Sequence, residues 1–186
     1  MDEIVLQRTF PQPLGETGFY ALARETMDCL DLYRAQWQES FLAEQGNRLV
    51  CRFQAPDTES LRQLSRDDGA RQKSVWAATV HEAGVDELAR VIVERSFDEP
   101  VAIEDLQARE DAAAGCLQLH RVRFIRSLFS RDRQSMVCLY AAPDAESVRL
   151  AQQQAKMPFQ SIWACRHYTP ENFFSSPDGS DSTPAP

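Results

Sequence analysis

The chain has 186 residues, enough for one ordinary domain or two small ones. Apolar residues make up 43% and charged residues 26%, so a packed core is expected rather than a natively unfolded chain. A formal net charge of -8 gives no general attraction to phosphate backbones and argues against nucleic acid as a partner.

The first five residues, Met1-Asp-Glu-Ile-Val5, lack the basic stretch and long apolar run of a secretory leader. No apolar run reaches the length of a membrane helix, so no membrane association is expected. Five cysteines, scattered and without a Cys-x-x-Cys pair, fit reduced thiols in a cytoplasmic protein.

Residues 3–10 are rich in Ile, Val, Leu and Phe at strand length. A turn containing Pro13 follows. Residues 17–30 carry Phe19, Leu22, Ala23, Met27 and Leu30 at helical spacing. Residues 33–42 alternate as a strand and 48–54 form a second, with Gly46-Asn47 suited to the hairpin turn between them. Ala55-Pro56-Asp57 leads into a helix whose start carries Asp57, Glu59 and Ser60, where acceptors meet unpaired backbone N–H groups. A last strand is expected at about 74–80, then a short connector at 81–89.

The pattern then repeats. Shifted by 87 residues, 4–79 aligns with 91–166 without a gap, with 20 identities in 76 positions. Arg8 falls on Arg95, Ser40 on Ser127, Cys51 on Cys138, Ala55-Pro56-Asp57 on Ala142-Pro143-Asp144, and Trp76 on Trp163. The second copy reads as strand 90–97, helix 103–117, strands 119–129 and 135–141, a helix from Asp144, and strand 160–168. The basic residues Arg121, Arg123 and Arg126 alternate with apolar ones and decorate a strand.

The order βαββαβ is the ferredoxin-like split motif. The fold class expected is therefore α+β: two tandem ferredoxin-like domains, at 1–80 and 90–168, packed sheet to sheet as a pseudo-twofold dimeric α+β barrel. Residues 169–186 are expected to form a disordered Ser/Pro tail, although Asn172-Phe173-Phe174 can fold back on the body.

Strict alternation places Tyr33, Ala35, Trp37, Glu39 and Phe41 on one side of the second strand, with His120, Val122, Phe124, Arg126 and Leu128 as counterparts. Cys51, Phe53, Cys138 and Tyr140 extend the apolar face. Such a face demands a partner, and the other copy supplies one. Ligand sites often lie in spaces of this kind. Glu39 and Arg126 are repeat-equivalent and opposite in charge, so they either pair across the seam or point to solvent. Arg8 and Arg95 either hold an anion or reach an acidic helix start. Cys138 beside His120 could act as a thiol site, or be a small buried hydrophobe. Glu94 is expected to pair with Arg121 or Arg123 across strands.

The stretches Val91-Ile-Val-Glu94-Arg95-Ser-Phe97 and Cys138-Leu-Tyr140-Ala-Ala-Pro143-Asp144-Ala-Glu146-Ser-Val148-Arg149 resemble a family of small ferredoxin-like proteins classed as a domain of unknown function. The family includes a nickel-binding protein. The resemblance implies a ferredoxin-like fold and, for some members, nickel held by histidines at a subunit interface. Where members often carry histidine, just before the serine of the second strand, this chain has Arg126 in one copy and Glu39 in the other. A cation and an anion there favour an ion pair over a metal.

The leading expectation is a non-catalytic small-molecule or ion-binding protein. Its site would lie at the seam of the copies and draw on Glu39, Arg126, His120, Cys138, Tyr140, Arg8 and Arg95. The alternatives are a small-metabolite enzyme of the dimeric α+β barrel type and a structural or protein-interaction module. No cofactor is expected. Nickel or another divalent transition metal on His120, Cys165 and His167 is the alternative. The chain is expected as a monomeric pseudo-dimer or a homodimer.

Overall fold

The computed structural model describes residues 1–175, and within them the chain is a mixed α+β protein. Its elements are β1 (Asp2–Thr9), α1 (Gly15–Asp28), β2 (Gln36–Ala43), β3 (Arg48–Ala55), α2 (Thr58–Leu64), β4 (Gln72–Glu82), β5 (Val91–Ser96), α3 (Ile103–Ala112), α4 (Ala114–Leu119), β6 (Arg123–Ser130), β7 (Ser135–Ala141), α5 (Ala145–Gln154), β8 (Ser161–Tyr168) and α6 (Pro170–Phe174). They form two compact units. Among the described residues the first is Met1–Ala77 with 167–175, and the second is Ala78–Arg166.

In the first unit β3 lies between β1 and β2, antiparallel to both, with Leu6 opposite Cys51 and Phe41 opposite Val50. Ile4, Leu6, Leu49, Cys51 and Phe53 from the strands form one core with Phe19 and Leu22 of α1 and Leu61 of α2. In the second unit β5 lies between β7 and β8, and β6 lies between β7 and Ala78–Glu82 of β4, all antiparallel. Its helix-side core gathers Val91, Val93, Cys138 and Tyr140 around Leu106 of α3 and Val148 of α5.

The same local devices recur at the 87-residue offset. Asp57 accepts the Ser60 backbone N–H at 2.8 Å to open α2, and Asp144 accepts that of Ser147 at 2.7 Å to open α5. Arg34 and Arg121 both hold positive φ, 53° and 56°, between the helical segment and the next strand. The β2–β3 turn places Gly46 at φ 72°, where a Cβ would meet Pro13 and the Leu14 and Gly15 amides within 3.3 Å. That turn holds the start of α1, since Leu14 N–H donates to the Gly46 carbonyl at 2.8 Å.

Several expectations need correction. The helix foreseen at 103–117 breaks at Ala113 into α3 and α4. The strands foreseen from 33 and 119 begin at Gln36 and Arg123, because the left-handed Arg34 and Arg121 first turn the chain. Tyr33 and His120 are therefore not strand residues. β4 extends through His81 and Glu82, which the connector was expected to hold. Residues 170–174, counted with the tail, form α6. Thr169 caps it reciprocally with Asn172, and Phe173 is fully buried. The rest of the expected tail lies outside the described residues.

The most consequential correction is a β-bulge. In β2 the register against β3 shifts between Trp37 and Glu39, and in β6 the register against β7 shifts between Phe124 and Arg126. The extra residue reverses the alternation. Trp37 and Phe124 thus join the helix-side cores, while Glu39 and Arg126 fall on the opposite face. Cys51, Phe53, Cys138 and Tyr140 also belong to the helix side, not to the face strict alternation gave them.

Candidate functional site

Three strands of the first unit each send one polar side chain to the helix side. β1 supplies Arg8, β2 supplies Ser40 and β3 supplies Cys51. Arg8 is 4% exposed. Its Nη1 donates to Asp68 Oδ2 at 3.0 Å and its Nη2 to Cys51 Sγ at 3.1 Å. Lys73 Nζ closes on Asp68 at 2.7 Å. Ser40 Oγ donates to Cys51 Sγ at 2.8 Å and itself accepts the Trp37 indole N–H at 2.9 Å. The sulfur therefore receives two donors, one of them cationic. Arg8 Nε–H is buried and finds no acceptor among the described residues. A buried donor left unmade costs its desolvation, so this one calls for an acceptor.

Beside this cluster is a small, partly enclosed cavity with about 20 Å³ open to the centre of a water-sized molecule. Phe19, Ala23 and Met27 of α1 wall it, and Arg8, Ser40 and Cys51 are its polar floor. That is room for a group of a few atoms.

On the opposite face of the same unit, Glu39 links two bases. Its Oε1 accepts from Arg52 Nε at 2.7 Å and its Oε2 meets His167 Nε2 at 2.9 Å. Arg52 also reaches Glu3 at 2.9 Å. Burial disfavours the Arg52 charge, but Glu39 and Glu3 outweigh it and raise the guanidinium above its ordinary value. The His167 ring lies 4.5 Å from that of Phe41.

In the second unit the equivalent of the Arg8 cluster is packed against a tyrosine. Tyr140, where the first unit has Phe53, fills the space with a hydroxyl that accepts from Arg95 Nη2 at 3.4 Å and Gln152 Nε2 at 3.2 Å. The same hydroxyl donates to Glu110 Oε1 at 3.1 Å. Arg95 Nη2 also donates to Gln152 Oε1 at 2.8 Å. Arg95 Nε–H, like that of Arg8, is buried and finds no acceptor among the described residues. Burial pushes the Cys138 thiol up to about 11, against the pull of Arg95. Burial likewise raises Glu110 and carries the Tyr140 phenol well above its usual value. Burial disfavours the Arg95 charge, yet its surroundings, Glu110 among them, hold the guanidinium above its ordinary value.

The remaining candidates scatter. His120 ends α4 and meets Gln154 Oε1 at 3.1 Å, so it is not the strand neighbour of Cys138 that was expected. Arg126 pairs with Glu82 at 3.4 Å. Glu94 accepts from Ser161 and, at 3.1 Å, from the Trp163 indole, as Gln7 does from Trp76 at 2.8 Å. Of the two residues expected on Glu94, Arg121 lies in the turn before β6, and Arg123 sits on β6 rather than on a strand next to β5 and pairs with Glu87 at 2.6 Å. Cys165 Sγ points to the Ala89 carbonyl at 3.8 Å. Among the described residues no three His, Cys, Asp or Glu side chains gather as a metal set, and His120, Cys165 and His167 are no exception. Sequence reasoning gave no chemical role to Ser40, although its identity with Ser127 marked it. It missed Asp68, Glu110 and Gln152, which have no counterpart in the other copy.

These features define a mixed α+β protein with a buried Arg–Cys pair in each unit and a partly enclosed cavity beside one of them. Residues 92–164 match the family described as nickel responsive protein SCO4226-like. No curated protein matches the chain. Among solved structures, a protein provisionally assigned as a chlorite dismutase, TA0507, aligns at TM-score 0.51 and 9% identity, over 91% of this chain and 96% of its own. A mutant chlorite dismutase from Candidatus Nitrospira defluvii, in complex with cyanide, aligns at 0.50 and 13% identity, over 88% and 90%. A novel heme-binding protein from Thermus thermophilus aligns at 0.48 and 7%, over 91% and 92%. At these identities the likeness concerns the fold.

Proposed function

We propose that the chain is a tandem pair of ferredoxin-like domains that binds a small ligand on the helix side of the first. The ligand carries an anionic or strongly accepting end to Arg8 and a short apolar part against Phe19, Ala23 and Met27. The observation that carries this reading is the buried Arg8 Nε–H without an acceptor, in the wall of a cavity. The recurring caps, bulges and left-handed arginines support the tandem arrangement. The site moves from the face between the copies, where strict alternation put it, to the side where Arg8 and Cys51 lie.

The nickel named by the family matching residues 92–164 does not fit the donors of that stretch. Among the described residues no three His, Cys, Asp or Glu side chains gather there, and His120, the one histidine of the stretch, meets Gln154 Oε1. A group the size of a haem does not fit the helix-side cavity, which admits only a few atoms.

Calorimetric titration of the full chain with short carboxylates of increasing length is the test. Saturable binding with an optimum at a short chain, abolished by Ala23→Phe in a folded variant, is expected. A flat isotherm for every length, or retained nickel or zinc in the native mass, overturns the reading.

A further inference from the structure

The two units carry the same Arg, Ser and Cys at the same repeat positions, in different surroundings. Arg8, Ser40 and Cys51 border a cavity, whereas Tyr140 closes the space around Arg95 and Cys138. The chain thus holds one constellation in two settings, one beside a cavity and one packed against Tyr140.

We propose that Cys51 is a peroxide-reactive thiol whose oxidant is a small hydroperoxide admitted through this cavity. The inference rests on the same cavity as the proposed function but not on the identity of its resident ligand. The space suits a molecule little larger than water, which hydrogen peroxide is. Arg8 and Ser40 already direct donors at the sulfur, at 3.1 and 2.8 Å. Arg8 and Cys51 both line the cavity, so a peroxide there can rest one oxygen against the guanidinium while the other faces Cys51. The Cys51 thiolate attacks that second oxygen, an S–O bond forms and the O–O bond breaks. Sulfur is oxidised to the sulfenic acid, and the departing hydroxide takes up the proton the thiol gave up on ionising and leaves as water. The thiolate is the attacking form, so a cationic neighbour at the sulfur serves the step. Cys138, fully buried beneath Tyr140 and Arg95, is the inert reference.

The test exposes the full-length native protein briefly to hydrogen peroxide, destroys the excess with catalase, then unfolds the protein in denaturant holding a sulfenic-acid trap and maps the adducts by peptide mass spectrometry. Cys51 is expected to be trapped about tenfold or more faster than the exposed Cys29, with Cys138 unmodified. Ala23→Phe, which fills the cavity and leaves Cys51, Arg8 and Ser40 in place, should suppress the adduct. Arg8→Lys should slow it and Ser40→Ala should slow it less. Trapping of Cys51 no faster than of Cys138, or equal trapping in Ala23→Phe, overturns the proposal. Carboxylate binding with an inert Cys51 would leave the proposed function standing and this inference fallen. A reactive Cys51 without carboxylate binding would do the reverse.

Discussion

Glu39 and His167, 128 residues apart, meet at 2.9 Å with side chains only 3% and 4% exposed. The carboxylate also holds Arg52, so it is the shared partner of two bases. Glu39→Ala takes this carboxylate from His167 and leaves Arg52 with Glu3 alone of its two carboxylates, and the expected loss is about 3 kcal/mol. Urea unfolding monitored by circular dichroism checks it. Arg52→Ala should cost less, because Arg52 lies nearer solvent and Glu39 keeps His167.

Tyr140→Phe removes one hydroxyl and three hydrogen bonds, those with Arg95, Gln152 and Glu110. The variant copies the first unit, where Phe53 occupies that position. The expected cost is about 1–3 kcal/mol, since buried polar partners are left unsatisfied. Equilibrium denaturation of the full chain measures it.

Burial raises the Glu110 carboxyl above its ordinary value. The folded state therefore holds this proton to higher pH than the unfolded chain does. The stability it contributes is fully present below the unfolded value of about 4.3, and declines as pH rises through the raised folded value. Glu110→Gln, which stays neutral, should flatten this part of the pH–stability curve. Denaturant midpoints of both proteins across mildly acidic pH show whether the slope disappears.

Phe173 of α6 is fully buried and lies 5.0 Å from the Tyr20 ring and 5.4 Å from Trp37. Phe173→Ala should cost about 3–5 kcal/mol. Phe174→Ala, at the more exposed neighbour, should cost much less. Thermal melts of the two variants side by side make the comparison.

Asp144→Ala removes the side chain that accepts the Ser147 N–H, a contact that holds its carboxyl below the usual range. A group held low contributes above its unfolded value and loses that contribution as pH falls through its folded one. The variant should melt a few degrees lower at neutral pH, and the gap should close in acid. Scanning calorimetry at neutral and acid pH reads both effects.

The strand cores were legible because their apolar runs are long and repeat. Arg8, Arg95, Cys51 and Cys138 stood out because each recurs at the same offset. The faces they serve were not legible. One extra residue at Gln38 and one at Ile125 invert the alternation, and neither residue type announces a bulge. The turns at Arg34 and Arg121 were also hidden, since a left-handed arginine carries no local signal as glycine does. Asp68, Glu110 and Gln152 reach the buried arginines from loops and helices. Their facing depends on how the helices settle on the sheets, which spacing along the chain does not encode.

The first unit takes its last core aromatic from residue 173, although most of its sequence ends at Ala77. During synthesis it cannot close around Phe19, Tyr20 and Trp37 until the whole second unit has left the ribosome. A fragment cut between the two sequence copies would have the cavity's floor and walls but an open core behind them. Isolated copies made to study the site should therefore carry residues 167–175 on the first, or they will report on an incomplete core.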